Sequence, residues 1–247
     1  PMATGVLPVF CGGASKAVDL QLDHTKTYCA RLRLGMQTDT GDITGTVLET
    51  APVTAGEKEL LAVLPRFLGP QMQTPPMYSA VKINGQPLYK LAREGVTVER
   101  KARPIEILDI RYGGSPVENE YVLTVRCSKG TYIRTLCHDI GNRLGTGGCM
   151  EELTRTKVGR FELKDSLKLE ELSDLAQNGR LEDALIPLDQ MFSELQSVVP
   201  AEKYISKAYN GNDFFKNQLS EDGKFCSGEK VRVYDAQGHF IGVYRYM

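Results

Sequence analysis

The chain has 247 residues, a formal net charge of −1 at pH 7, 41% hydrophobic and 25% charged residues, all ordinary for a globular protein. That length allows one large domain, or a medium domain plus a small one, each able to bury a core. No apolar run approaches the roughly 20 residues a membrane helix needs, and no charged-then-apolar leader opens the sequence, so a membrane or secreted protein is not expected.

In chain order, Val6 to Phe10 is a short apolar run after Gly5, consistent with a buried strand. Tyr28 to Leu34 alternates: Tyr28, Ala30, Leu32 and Leu34 face one way, Cys29, Arg31 and Arg33 the other, the period of a half-buried strand. Thr38 to Gly45 is rich in Thr, Asp and Gly and reads as a loop. Thr54 and Glu57 have capping-box spacing, with Leu60, Leu61, Leu64 and Leu68 following as a helical stripe ended by Pro70, Pro75 and Pro76. Asn84-Gly85 between apolar residues signals a hairpin, and Leu88 to Gly95 is a short basic helix candidate. Ile105 to Ile110 and the alternating Tyr121 to Cys127 are strand candidates. Ile133, Leu136, Cys137, Ile140 and Leu144 fit one helix face, closed by Gly145, Gly147 and Gly148. Leu169 to Leu175 and Leu181 to Leu185 are short acidic helix candidates, Pro187 to Pro200 is the expected linker, and Lys230 to Val243 reads as two strands around Asp235 to Gly238. Strands and helices without strict β-α-β alternation predict an α+β fold.

The six cysteines, Cys11, Cys29, Cys127, Cys137, Cys149 and Cys226, form no C-x-x-C pair, sit mostly inside apolar runs and read as reduced, buried thiols in the cytosol. A zinc site through Cys137, His138 and Cys149 fails on ligand spacing. Charge is segregated along the chain. Lys82 to Arg103 carries six basic residues against two acidic, Arg126 to Arg160 seven against three, and Phe161 to Gln190 three against eight. Such segregation can present a basic face on a nearly neutral protein. Solvated surfaces also cluster charge by chance, so charge alone does not decide for RNA.

Three stretches are hard to explain by packing alone. They are Pro1-Met2-Ala3-Thr4-Gly5-Val6-Leu7-Pro8-Val9 with Gly12-Gly13-Ala14-Ser15-Lys16; Lys26-Thr27-Tyr28 running on through Leu34-Gly35 to Thr38-Asp39-Thr40-Gly41-Asp42 and Gly45; and Cys127-Ser128-Lys129-Gly130-Thr131-Tyr132-Ile133-Arg134-Thr135. In this order they resemble the TruB family of tRNA pseudouridine synthases. Met77-Tyr78-Ser79-Ala80-Val81-Lys82, with Gly85, Leu88-Tyr89 and Ala92-Arg93-Glu94-Gly95, is similar to the same family, as is Leu153-x-Arg155-x-x-Val158-Gly159-x-Phe161.

The resemblance implies a largely antiparallel mixed sheet flanked by helices over residues 1–190, a thumb-like RNA-clamping insertion at 74–103, and a small PUA-like β-rich domain over 195–247. It implies isomerisation of the T-loop uridine of tRNA. Such a reaction breaks the bond from ribose C1′ to uracil N1, turns the base and rejoins it through C5. It has no net redox change and no energy input, so no metal and no cofactor is expected. It needs one carboxylate, a proton acceptor for C5 and a pocket that retains the detached base. The flipped base must also find new stacking.

By resemblance, Tyr28 packs on that base and serves at C5; from the strand pattern alone it is a core aromatic. Arg134 pairs with the catalytic carboxylate and Asp39 completes an Arg–Asp network; their bland readings are an exposed helix arginine and a turn aspartate. Lys16 and Lys129 meet phosphate, Tyr132 and Leu153 line the base pocket, and Tyr78 and Lys82 belong to the clamp. The family's catalytic aspartate falls immediately before Pro1. Residues upstream of Pro1 are therefore expected, and the 247 residues by themselves are expected to be inactive. A monomeric, cytoplasmic enzyme acting on the T arm is the expectation, with no membrane and no obligate protein partner. The alternative is an RNA-binding or RNA-folding module without catalysis.

Overall fold

The computed structural model describes residues 3–20, 23–213, 215–220, 226 and 228–245. The chain divides into two compact units. The first comprises Pro1–Val9 and Asp23–Ser166, the second Phe10–Leu22 and Leu167–Met247. The division at 166/167 differs from the expected one near residue 190. The Pro187 to Pro200 stretch is not a linker in the structure. Phe192 there is buried and Ser197–Val198 pairs with a strand of the second unit.

The first unit is built on a sheet. Its elements are β1 (Thr4–Gly5), β2 (Lys26–Leu34), β3 (Met36–Thr38), β4 (Val47–Thr50), α1 (Glu57–Val63), β5 (Gly69–Gln73), β6 (Lys82–Ile83), β7 (Gln86–Pro87), α2 (Leu88–Arg93), β8 (Arg103–Tyr112), β9 (Glu120–Cys127), α3 (Ile133–Arg143), β10 (Gly148–Val158) and β11 (Phe161–Glu162). The seven-stranded sheet runs β1-β10-β2-β9-β8-β5, with β11 added to β10. Only β1 pairs in parallel, with Thr4 opposite Thr154 and Gly5 opposite Arg155; the other ladders are antiparallel. The α+β fold with a mixed, largely antiparallel sheet is the one expected.

One face of the sheet carries the core. Ala30, Leu32 and Leu34 of β2, Leu123, Val125 and Cys127 of β9, and Ile105 and Ile107 of β8 pack beneath α1 and α3. From α3 come Ile133, Leu136, Cys137 and Ile140, the stripe its periodicity predicts. Each fully buried leucine, isoleucine or valine among them contributes about 1.5–3 kcal/mol. Of the cysteines expected to be buried, Cys127, Cys137 and Cys149 are buried, but Cys11 and Cys226 are exposed. Gly141 lets α3 close on the start of β10: a Cβ there would stand 2.2 Å from the Gly148 amide nitrogen. Beyond the core, β2 turns Arg31 and Arg33 outward to Glu120, Glu151 and Glu152, a partly exposed ion-pair network.

Three local expectations shift. The apolar run Val6 to Phe10 is not a strand. Val6 donates its N–H to the Arg155 carbonyl and is buried, but Pro8 has no N–H to continue a ladder, and Leu7 and Val9 are exposed. Helix α1 begins after Gly56, whose N–H is held by the Glu59 carboxylate at 2.9 Å, so the cap lies two residues past Thr54. Its buried stripe is Leu60, Val63 and Leu64; Leu61 lies one helical step outside that stripe and Leu68 follows the 3-10 turn at Leu64–Phe67, and both face solvent. The Asn84-Gly85 turn forms as read, both residues in the left-handed region, with φ of 49° and 83°.

The second unit contains a 3-10 segment at Gly12–Leu20, α4 (Leu169–Gln177), β12 (Ser197–Val198), α5 (Ile205–Tyr209), β13 (Lys230–Tyr234) and β14 (Phe240–Arg245). Its sheet runs β12-β13-β14 over a small core of Val198, Ala208, Val231 and Val233. The two C-terminal strands form where the sequence places them.

Candidate active site

Arg134 stands in the first turn of α3, on the side away from Ile133 and Leu136. Its guanidinium gathers three backbone and side-chain acceptors from two other segments. Nη1 donates to the Thr40 carbonyl at 2.9 Å and to Asp42 Oδ2 at 3.2 Å, and Nη2 donates to the Tyr78 carbonyl at 2.5 Å. The arginine thereby ties α3 to the loop at 38–45 and to the segment between β5 and β6. Both charged side chains are largely covered, with 20% exposure for Arg134 and 9% for Asp42, so this ion pair is better shielded than a surface one.

The acidic partner is Asp42, not Asp39. Asp39 is exposed, and its Oδ1 accepts the Thr46 N–H at 2.7 Å, the turn-stabilising role of an aspartate in a Thr/Gly loop. Asp42 is placed by the sheet. Its loop docks on the free edge of β10, where Met150 N–H donates to the Gly41 carbonyl and Ile43 N–H to the Met150 carbonyl, both at 3.0 Å. The other carboxylate oxygen accepts from Thr40 Oγ1 at 3.0 Å and from the Thr44 N–H at 3.1 Å. A carboxylate fixed on both oxygens is oriented as well as charged.

Further along the same edge of β10, β1 takes over at Thr154 and Arg155. Gly5 has φ of +105°, and a Cβ there would lie 2.1 Å from the Arg155 carbonyl oxygen, so only glycine permits this approach. The Arg155 side chain holds the residue that follows β1, with Nε donating to the Val6 carbonyl at 2.7 Å.

Tyr28 lies opposite Arg155 on β10 and Val125 on β9, half-buried against the edge of the core. Burial, reinforced by the neighbouring Cys127 thiol, raises the Tyr28 phenol above its ordinary value, while the Arg155 charge beside it pulls the other way. The phenol is thus neutral near pH 7. Leu153 sits opposite Ala30, half-buried and packed on the core.

Tyr132 caps α3 through its backbone. Its N–H donates to Gln73 Oε1 at 2.8 Å, and its carbonyl accepts from Gln73 Nε2 at 3.0 Å. Lys129 is exposed in the turn between β9 and α3, and Lys82 is exposed at the start of β6. Lys16 is exposed on the 3-10 segment of the second unit. Tyr78 takes part through its carbonyl. Sequence reading missed Asp42 as the ion-pair partner and Gln73 altogether. It also left Lys26 and Arg155 unassigned, although both lie inside quoted motifs.

Comparisons with known proteins identify the family. The family description "TruB family pseudouridylate synthase (N terminal domain)" matches residues 1–133, and "tRNA pseudouridylate synthase B C-terminal domain" matches residues 134–193. A tRNA pseudouridine synthase B of Lachnoclostridium phytofermentans is 44% identical over 256 residues, covering 100% of this chain and 83% of that protein. The tRNA pseudouridine synthase B of Clostridium tetani is 40% identical over 245 residues, covering 98% of this chain and 82% of that protein. Among solved structures, a chain of a Cbf5-Nop10-Gar1 complex superposes with a TM-score of 0.69 at 24% identity, over 99% of this chain and 67% of that one, a likeness of fold. With both descriptions matched in succession and relatives of this identity aligned over nearly its whole length, the chain belongs to the TruB family of pseudouridylate synthases.

Proposed function

We propose that this site isomerises uridine to pseudouridine in tRNA, at the T-loop position, with Arg134 holding the catalytic carboxylate and Tyr28 packing on the flipped base. The observation that carries the reading is the pairing of Arg134 with Asp42 on the β10 edge that β1 also uses. Parallel pairing of Thr4 with Thr154 means that a chain reaching β1 arrives from the Met150 side. In this reading the aspartate that the family carries immediately before Pro1 reaches Arg134 beside Asp42 from that side. An aspartate there gains a second guanidinium contact and stays ionised.

Asp42 is already engaged on both oxygens and is a poor nucleophile in that state. A polypeptide limited to these 247 residues therefore binds RNA without isomerising it in this reading. Tyr28, with a phenol kept protonated by burial, offers stacking and a hydroxyl for proton relay rather than a resident anion. Lys129 and Lys82 meet phosphate, the 74–103 insertion clamps the T arm, and residues 195–247 act as a PUA-like RNA-binding domain. The enzyme works as a cytoplasmic monomer.

The test is tritium release from C5-labelled uridine in tRNA. The 247-residue polypeptide is compared with one extended upstream through the expected aspartate. Release only from the extended form is the expected result. Release from neither, with RNA still bound, reduces the protein to an RNA-binding module. Release from both makes a carboxylate within the chain sufficient and overturns the assignment of the nucleophile.

A further inference from the structure

Period two along β2 places Lys26 on the face of Tyr28, Ala30 and Leu32, the core face, at the end where the core opens. Lys26 lies opposite Cys127 on β9, and Lys129 follows two residues later in the exposed turn before α3. One cross-strand step away, Arg155 stands opposite Tyr28 with its Nε fixed by the Val6 carbonyl. Burial lowers the Lys26 ammonium below the ordinary lysine value, and the charges of Arg155 and Lys129 lower it further. The three cations therefore share one locality.

Among the described residues, no carboxylate forms an ion pair with Lys26, Lys129 or Arg155. The nearby acid Asp23 feels Arg126 and Lys157 instead, and its Oδ1 accepts the Thr25 N–H at 2.7 Å. A lysine whose only task is solubility extends into water. Lys26 does not: it is half-buried among like charges, an arrangement that costs free energy until an anion arrives.

We infer that Lys26, Lys129 and Arg155 bind a phosphodiester of the RNA strand beside the base held at Tyr28, a proposal that rests on the pseudouridine-synthase reading above. The cluster fixes the backbone next to the flipped nucleotide without reading sequence. Arg155 serves it as a pre-oriented fork, Lys26 as a partly desolvated charge, and Lys129 as the outer, exposed one.

The experiment is the salt dependence of tRNA binding by the 247-residue protein and its K26Q and K129Q variants, beside an unrelated RNA hairpin. Loss of one phosphate contact lowers the slope of log K against log salt by about one. Each variant is expected to show that change, with the same fold weakening for tRNA and hairpin. Free K26Q is expected to melt no lower than the unsubstituted protein, since a repulsion has been removed. Unchanged affinity and slope in both variants overturn the inference, and with it the phosphate contact given to Lys129, while leaving the isomerase reading to the tritium-release assay. Should K26Q fail to fold, an unchanged slope in K129Q, which alters only an exposed turn, overturns it equally. Inorganic phosphate that raises the melting temperature of the unsubstituted protein but not of K26Q, with RNA slopes unchanged, also overturns it, in favour of a free small anion. An unsubstituted protein that binds no RNA sinks the function reading and the inference together.

Discussion

Gln73 and Tyr132 grip each other by two hydrogen bonds, amide to carbonyl at 3.0 Å and backbone N–H to amide oxygen at 2.8 Å. The last residue of β5 thus supplies with its side chain what a neighbouring strand would supply with its backbone. It does so at the residue before α3, two positions ahead of Arg134. Gln73 is only 6% exposed, so its loss strands a buried donor and acceptor on Tyr132. Gln73→Leu is expected to destabilise the fold by about 2 kcal/mol. In a catalytically complete chain it should also lower kcat more than it raises KM for tRNA, because α3 starts out of place. A loss of stability with kcat intact would show that Arg134 is positioned without it.

Arg134 reaches Thr40, Asp42 and Tyr78 at once because a guanidinium is a planar fork. A lysine keeps the charge and loses the fork. Arg134→Lys is therefore expected to retain tRNA binding within a few-fold. Turnover should fall by about 10²-fold or more, the scale of a roughly 1 Å misplacement of a reacting group. Single-turnover tritium release beside filter binding separates the two, and parallel losses in both would place Arg134 in binding alone.

Asp39 and Asp42 make opposite predictions from the same loop. Asp42→Asn leaves the Thr40 and Thr44 contacts possible but removes the charge facing Arg134, so turnover should drop by at least about 10-fold with a folded protein. Asp39→Asn should do little to turnover, because its oxygen only closes a turn to Thr46. The reverse ranking would restore Asp39 to the site and make the Asp42 pair structural.

That exchange marks where sequence reading stops. The stripe of α3 and the alternation of β9 were legible because helix and strand periods act locally, and the hairpin at Asn84-Gly85 because its turn demands left-handed residues. Which of two aspartates three residues apart faces Arg134 is decided by the docking of Gly41 and Ile43 on Met150, more than 100 residues away in the chain. Gln73 carries no motif at all; its partner is a backbone 59 residues later. Lys26 and Arg155 belonged to recognisable motifs, yet only the register of β2 with β9 and β10 brings them beside one another. The apparent linker at Pro187 to Pro200 looked unstructured for the same reason: Phe192 and Val198 find their burial in the C-terminal strands.

Asp235 gives the second unit an acid-sensitive clamp. Its carboxylate bridges the β13–β14 connection: Oδ1 accepts the N–H groups of Gln237 at 2.9 Å and His239 at 2.8 Å. Oδ2 accepts the Tyr209 hydroxyl at 2.8 Å and faces His239 Nδ1 at 2.9 Å. Burial pushes the Asp235 carboxyl up, but the His239, Tyr209 and Gln237 hydrogen bonds outweigh it and hold the carboxyl at about 2. A depressed folded value means that the carboxylate favours the folded unit fully above the ordinary 3.8, and that this contribution fades as pH falls toward about 2. Amide exchange in the β13–β14 hairpin should therefore accelerate between about pH 4 and about pH 2 beyond its intrinsic pH dependence. Asp235→Asn should exchange faster at pH 6 and show no extra acid step. An acid step that persists in Asp235→Asn would assign the sensitivity to another carboxylate.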